Sequence, residues 1–204
     1  MAKVSVVIPC FNQGVYIEET VDSVLAQTFQ DIEIIIVNDG STDDETNRIL
    51  ADYNRDKTKV IKTDNQGLAA ARNNGIKASS GDFILPLDAD DRIAPRYIEE
   101  AASVLESEPE TGIVYSRARL FGAVDATWNL PSFSIERMMI DNVIFCTAMF
   151  RRADWEAVGG YDTGMVYGWE DYEFWLSLIE KGRGVVQLPH EYFYYRVATD
   201  SMVR

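Results

Sequence analysis

Histidine occurs once in this chain, cysteine twice, and no apolar run approaches the roughly 18 residues that span a membrane. His190 follows Pro189 with no second histidine near it, so a structural role is expected rather than a catalytic one. Cys10 and Cys146 lie far apart and lack metal-ligand spacing, which argues against a disulfide framework or a zinc knuckle and for buried, reduced thiols. Cations are scarce as well: 19 Lys and Arg stand against 33 Asp and Glu, for a net charge of -14. Nucleic-acid binders depend on clustered cations, so nucleic acid is not an expected partner. An acidic chain that holds a phosphorylated small molecule needs a divalent cation between its carboxylates and the phosphates. The opening Met1-Ala2-Lys3-Val4 leads straight into a strand pattern without the apolar run of a secretory signal, so the expected location is cytoplasmic.

What is present is core-forming material: 47% of the 204 residues are hydrophobic, enough for one compact domain. Four strand-helix units follow one another. Val4 to Ile8 is a continuous apolar run of the buried parallel type, followed by a helix whose stripe is Ile17, Val21, Val24, Leu25 and Thr28. Ile32 to Val37 is the second strand, and Thr42 with Glu45 has capping-box spacing for a helix through Ile49 and Leu50. Val60 to Thr63 precedes a helix striped by Leu68, Ala71, Arg72 and Ile76; Phe83 to Leu87 precedes one opening near Pro95 that buries Ile98, Ala101, Ala102 and Leu105. This rhythm predicts an α/β fold, a mostly parallel central sheet flanked by helices, with ligands beyond the carboxyl ends of the strands. Later the rhythm breaks. Ile113 to Tyr115 and Phe145 to Phe150 read as strands around an irregular stretch, Leu120 to Asn142; a helix near Trp169 to Lys181 then leads to strands at Val185 to Leu188 and Tyr192 to Val197. We expect a single catalytic domain over 1-204, with a nucleotide-binding half over about 1-115 and a mixed acceptor-side half over about 116-204, as a piece of a longer chain or complete.

The polar segments after the four strands would line one rim. Asp88, Ala89, Asp90 and Asp91 close an apolar strand with carboxylates spaced for a hard divalent ion, Asp90 as direct ligand and Asp88 nearer the ribose; a solvated turn that caps the next helix is the competing reading. Asp39, steadied by Gly40, could accept the imide hydrogen of a uracil-like base or build an Asx turn. Arg72 sits on an apolar stripe, either buried against a carboxylate or reaching the nucleotide from below. A helical wheel over 168-177 puts Glu170, Glu173 and Ser177 on one arc and Asp171 on the apolar side with Phe174, Trp175 and Leu178. An apolar setting raises a carboxyl toward general-base range, so Asp171 is the base candidate and Glu170 its flanking, acceptor-binding partner. Arg151-Arg152 could place phosphate or be a solvated pair; Trp128 could stack on a sugar ring.

The ordered set Val6-Val7-Ile8-Pro9-Cys10-Phe11-Asn12, Val37-Asn38-Asp39-Gly40-Ser41-Thr42-Asp43, Asn65-Gln66-Gly67 through Arg72-Asn73, Leu87-Asp88-Ala89-Asp90-Asp91, Gly159-Gly160-Tyr161-Asp162 and Trp169-Glu170-Asp171 resembles the family-two glycosyltransferases of the GT-A fold along nearly the whole chain. The resemblance implies an inverting transfer from a nucleoside-diphosphate sugar, most often uridine-based, to a glycan or lipid-linked acceptor. It implies nucleotide-sugar contacts at Pro9, Asn12, Asp39, Asn65, Gly67, Arg72, Asp88 and Ala89, Mn2+ or Mg2+ at Asp90 and Asp88, Asp171 as base with Glu170 beside it, and work in the cytoplasm with room for peripheral association at the inner membrane face. Two departures stand out. The late histidine that completes the metal site in many members is missing from Arg196-Val197-Ala198-Thr199-Asp200, leaving Asp200, water or later residues; and the Gln-x-x-Arg-Trp motif of processive synthases is absent, which favours single sugar transfer. A haloacid-dehalogenase-like phosphatase would carry its aspartate pair on the first strand, not the fourth. A non-catalytic sugar-nucleotide-binding or docking domain is the remaining rival.

Overall fold

The computed structural model describes residues 3–198. Strand β1 (Val4–Cys10) and β2 (Ile32–Asp39) are nearly all buried, as expected of continuous apolar runs with helices on both sides. With β3 (Thr58–Thr63) and β4 (Phe83–Pro86) they form a parallel block in the order β3-β2-β1-β4. The connecting helices are α1 (Ile17–Leu25), α2 (Asp44–Ala51) and α3 (Leu68–Ala78). Helix α3 presses hard on the sheet: a Cβ at Gly75 would lie 2.4 Å from Val7 Cγ1 and 2.9 Å from Val37 Cγ2.

Beyond β4 the sheet turns mixed. Strand β5 (Arg92–Ile93) and helix α4 (Tyr97–Ser107) lead to β6 (Thr111–Gly122), β7 (Ala126–Trp128), the short helix α5 (Ile135–Met138), β8 (Met149–Arg151), helices α6 (Arg152–Val158) and α7 (Glu170–Glu180), and β9 (Gly184–Val197). The sheet continues from β4 through β8, β6 and β9 to β5, with β7 on β6. β8 is antiparallel to β4 and β6, while β6 and β9 are parallel.

Several expectations are corrected. The segment Leu120 to Asn142 is less irregular than its pattern, because β6 runs on to Gly122 and β7 pairs back on it. The strand expected over Phe145 to Phe150 shrinks to Met149–Arg151. The two late strands are one: between Gln187 and Glu191 the pairing with β6 skips three residues around Pro189, so the bulge absorbs the missing N–H. Helix α1 stops before Thr28, whose amide bonds the Pro95 carbonyl at 2.7 Å. The cap of α2 is Asp43, accepting from Glu45 N and Thr46 N, in place of the Thr42–Glu45 box. Leu68, expected in the core, is 44% exposed. Among the described residues no helix is long and apolar enough to cross a membrane. Asp200, offered as a metal ligand, lies outside the described residues.

Candidate active site

The carboxyl ends of β1, β2 and β4 and the loop after β3 open on a cavity of about 520 Å³. Of the residues expected at the nucleotide sugar, Pro9, Asp39, Asn65, Gly67 and Asp88 line it, with Asp90 beside them. Asp39 is 3% exposed at the end of β2. Its carboxylate accepts from Thr63 Oγ1 at 3.0 Å, Gln66 N at 3.3 Å and Gly67 N at 3.1 Å. Three donors, one of them Gln66 N shared between both oxygens at 3.3 Å, against about four lone-pair sites leave capacity for one more. Gly40 is required here: at φ 66 its backbone closes on the next loop, and a Cβ would meet Asn65 N at 2.5 Å.

Asn12, Arg72 and Ala89 are not on the cavity lining. Asn12 sits at φ 57 and latches two loops: Oδ1 accepts from Thr42 N at 2.8 Å and Asp43 N at 2.9 Å, and Nδ2 donates to Thr42 Oγ1 at 3.0 Å. Ala89 is buried, its carbonyl accepting from Thr20 Oγ1 at 2.7 Å. Arg72 is 1% exposed, buried against carboxylates. It donates through one terminal nitrogen to Asp88 Oδ1 at 2.9 Å and through the other to Glu170 Oε1. The other oxygen of Asp88 accepts from Cys146 Sγ at 3.3 Å. Cys146 is half-buried; Cys10 is buried at the cavity floor.

The helical-wheel expectation fails at Glu170, while Phe174, Trp175 and Leu178 are buried as placed. Glu170, placed on the outer arc, is 5% exposed and bound to Arg72; Asp171, placed on the core side, is half-buried. A wheel gives relative angles only, and the partner that pulls Glu170 inward lies 98 residues away. The carboxyl of Asp171 is raised. Burial, aided by Glu170 and Asp88 and opposed by Arg72, lifts its carboxyl to about 6. The chain Asp88–Arg72–Glu170 thus joins the cavity floor to the first turn of the helix that carries Asp171.

The acidic turn after β4 divides its labour. Burial and then the neighbouring Asp88 charge raise the Asp90 carboxyl; no salt bridge neutralises it among the described residues. Asp91 is 1% exposed, with Oδ1 accepting from Arg196 N at 2.8 Å and Oδ2 without a partner among the described residues; burial, Asp88 and Asp90 push it well up. It is a latch between this turn and β9. Among the described residues no three His, Cys, Asp or Glu converge as a metal cage. Asp88 and Asp90 nevertheless offer two hard oxygen donors on the cavity wall, the chemistry Mg2+ and Mn2+ prefer, with further oxygens left to diphosphate and water.

Gln13, Tyr16, Leu68 and Tyr195 also line the cavity and escaped sequence reasoning, as does the side chain of Phe11, whose loop was expected on the rim. An aromatic in a turn after an apolar strand is the sequence signal that could have singled out Phe11, which is 43% exposed. Arg151 and Arg152 serve structure, donating to the carbonyls of Leu105, Thr111, Ile76 and Gly81. His190 is exposed on β9.

Residues 5–172 match the profile of the family described as glycosyl transferase family 2. The chain is 31% identical over 185 residues to the chondroitin synthase of Pasteurella multocida (strain Pm70), covering 88% of this chain and 19% of that protein. In fold it resembles S. aureus TarS 1-349 in complex with UDP-GlcNAc, at TM-score 0.81 and 22% identity, covering 98% of this chain and 60% of that one. It also resembles the mannosyltransferase PcManGT from Pyrobaculum calidifontis in complex with GDP-Man and Mn2+, at TM-score 0.75 and 21% identity, covering 98% and 58%. At these identities the likeness is one of fold. The chain spans only the stated fractions of these relatives.

Proposed function

This chain belongs to glycosyl transferase family 2, and from that premise we propose that it moves a sugar from a nucleoside-diphosphate donor, uridine-based, to an acceptor hydroxyl with inversion at the anomeric carbon. The observation that carries the reading is the buried Asp88–Arg72–Glu170 chain, which ties an acidic, strand-end cavity to the helix bearing a carboxyl poised at about 6. Donor-bound relatives of this fold, TarS with UDP-GlcNAc and PcManGT with GDP-Man and Mn2+, support a sugar-nucleotide ligand in the cavity. Residues of about 1-115 form the donor half and about 116-204 the acceptor half, although Tyr195 reaches back to the donor cavity. The acceptor is a glycan or lipid-linked saccharide, met in the cytoplasm or at the inner membrane face.

Asp39 accepts a base N–H at its remaining lone pair. Asp90 and Asp88 would hold a divalent cation, which would offset the charge of the diphosphate. Asp171 takes the proton of the acceptor hydroxyl as the oxygen bonds to the anomeric carbon; the carbon–oxygen bond to the diphosphate breaks and its electron pair leaves with the nucleotide. Above pH 6 the carboxylate is free to accept. Glu170 and Arg72 orient rather than react. Release of nucleoside diphosphate from a panel of UDP-sugars and GDP-mannose, with the product's anomeric configuration read by NMR, tests this. Asp171→Asn should lower turnover roughly 100-fold or more with nucleotide binding retained; a retained configuration, or full turnover in that variant, would refute the mechanism.

A further inference from the structure

Most described arginines are ion-paired, and Arg151 and Arg152 are spent on main-chain carbonyls. Two are left. Arg117, exposed on β6, has no ion pair among the described residues, and the Arg137 guanidinium donates among them only to Ser132, at 3.0 Å to its carbonyl. Arg117 lines a second cavity of about 360 Å³ together with Trp128, Asn129, Gln187 and Ser132, the last being the partner of Arg137. The amides of Asn129 and Gln187 have no hydrogen-bond partner among the described residues. Trp128 is held in place by Phe145, stacked at 6.3 Å, and by Tyr195 at 5.0 Å. Tyr195 lines the first cavity, and Cys146, next to Phe145, donates to Asp88, so the two cavities share an aromatic wall.

An indole, free amides and an unpaired guanidinium around one hollow are the elements that bind a charged sugar: a ring to stack on, donors and acceptors for hydroxyls, and a fork for an anion. We propose that this second cavity is an acceptor subsite for a saccharide bearing a carboxylate or phosphate group, with Trp128 as platform and Arg117, seconded by Arg137, as the anion's partner. The proposal rests on the transferase reading, since it assigns the acceptor class of that same enzyme.

The test is a chemical-shift titration of the full chain, following the Trp128 indole N–H, identified with Trp128→Phe, against three probes: a glucuronic-acid disaccharide, a glucose phosphate and neutral cellobiose. A parallel UDP titration is run on every variant. At least one anionic probe should bind roughly tenfold tighter than cellobiose, and Arg117→Glu should abolish that advantage while the UDP titration stays unchanged. The tighter of the two anionic probes identifies carboxylate or phosphate as the source of the charge. Equal binding of neutral and anionic probes, indifference to Arg117→Glu, or no saccharide binding by a chain that still binds UDP would overturn the subsite. Arg117-dependent binding of an anionic sugar by a chain that does not bind UDP would instead overturn the uridine-donor transferase reading and leave the saccharide site standing.

Discussion

Removing the guanidinium of Arg72 leaves Glu170 buried and Asp88 at the cavity floor without their counter-charge. Breaking a buried pair in this way costs about 3–5 kcal/mol. Arg72→Ala should therefore lower the urea midpoint sharply, whereas Arg117→Ala, on the surface, should stay within about 0.5 kcal/mol of the native chain; equal midpoints for the two would contradict the buried chain. Asp171 makes a prediction of opposite sign. Its carboxyl is lifted to about 6, first by burial, so the folded state holds that proton more tightly than the unfolded one. Its contribution to stability is complete below about 4 and is lost as pH rises through about 6. Asp171→Asn, which never ionises, should match the native chain near pH 4 and exceed it at neutral pH by on the order of 2 kcal/mol. Urea unfolding at the two pH values checks this, and an offset independent of pH would sink it. At this scale the sequence singled out carboxylates but not what they touch. The aspartates at strand ends were legible because a charge closing an apolar run has few other reasons to be there. The burial of Glu170 was not, because its cause is Arg72 on another element, and Asn12 reads equally well as ligand contact or loop latch until Thr42 and Asp43 are seen bonded to it.

Elements were legible in proportion to how local their causes are. Strands β1 to β4 announce themselves because strands covered on both faces must be apolar throughout. Strands β6 to β9 depend on each other across long separations: β9 crosses Pro189 as one strand only because β6 tolerates a bulge opposite it. The start of α2 shows how a rule can select the wrong neighbour. Thr42 and Glu45 have the right spacing, yet Asp43 holds the first-turn amides and the Thr42 hydroxyl is bonded to Asn12 instead. Asp43→Ala should cost about 1 kcal/mol of stability and Thr42→Ala less than half of that. Chemical denaturation of the pair decides it: the reverse ranking would restore the capping box.

The whole molecule carries a net charge of -14, and its main cavity is walled by Asp39, Asp88 and Asp90. A diphosphate approaching that cavity meets like charge on every scale, from the distant field to the two carboxylates it must pass. Composition alone pointed to a cation for this reason, and the rim explains why Asp90, raised by burial and by Asp88 and left without a salt bridge, is where its loss should be felt most. The second half of the chain stayed least legible, because its cavity is built from β6, β7 and the loop before β8, which no single periodicity describes. The measurement that bears most directly on the account is a thermal-shift titration of the native chain and Asp90→Ala with UDP, GDP, dTDP and CDP, each with Mn2+ or with chelator. The account predicts that UDP raises the melting temperature in the presence of Mn2+, that chelator removes the rise, and that Asp90→Ala melts normally yet shows none. Stabilisation by UDP that is the same with chelator and in Asp90→Ala, or no stabilisation of the folded native chain by any of the four, would contradict it.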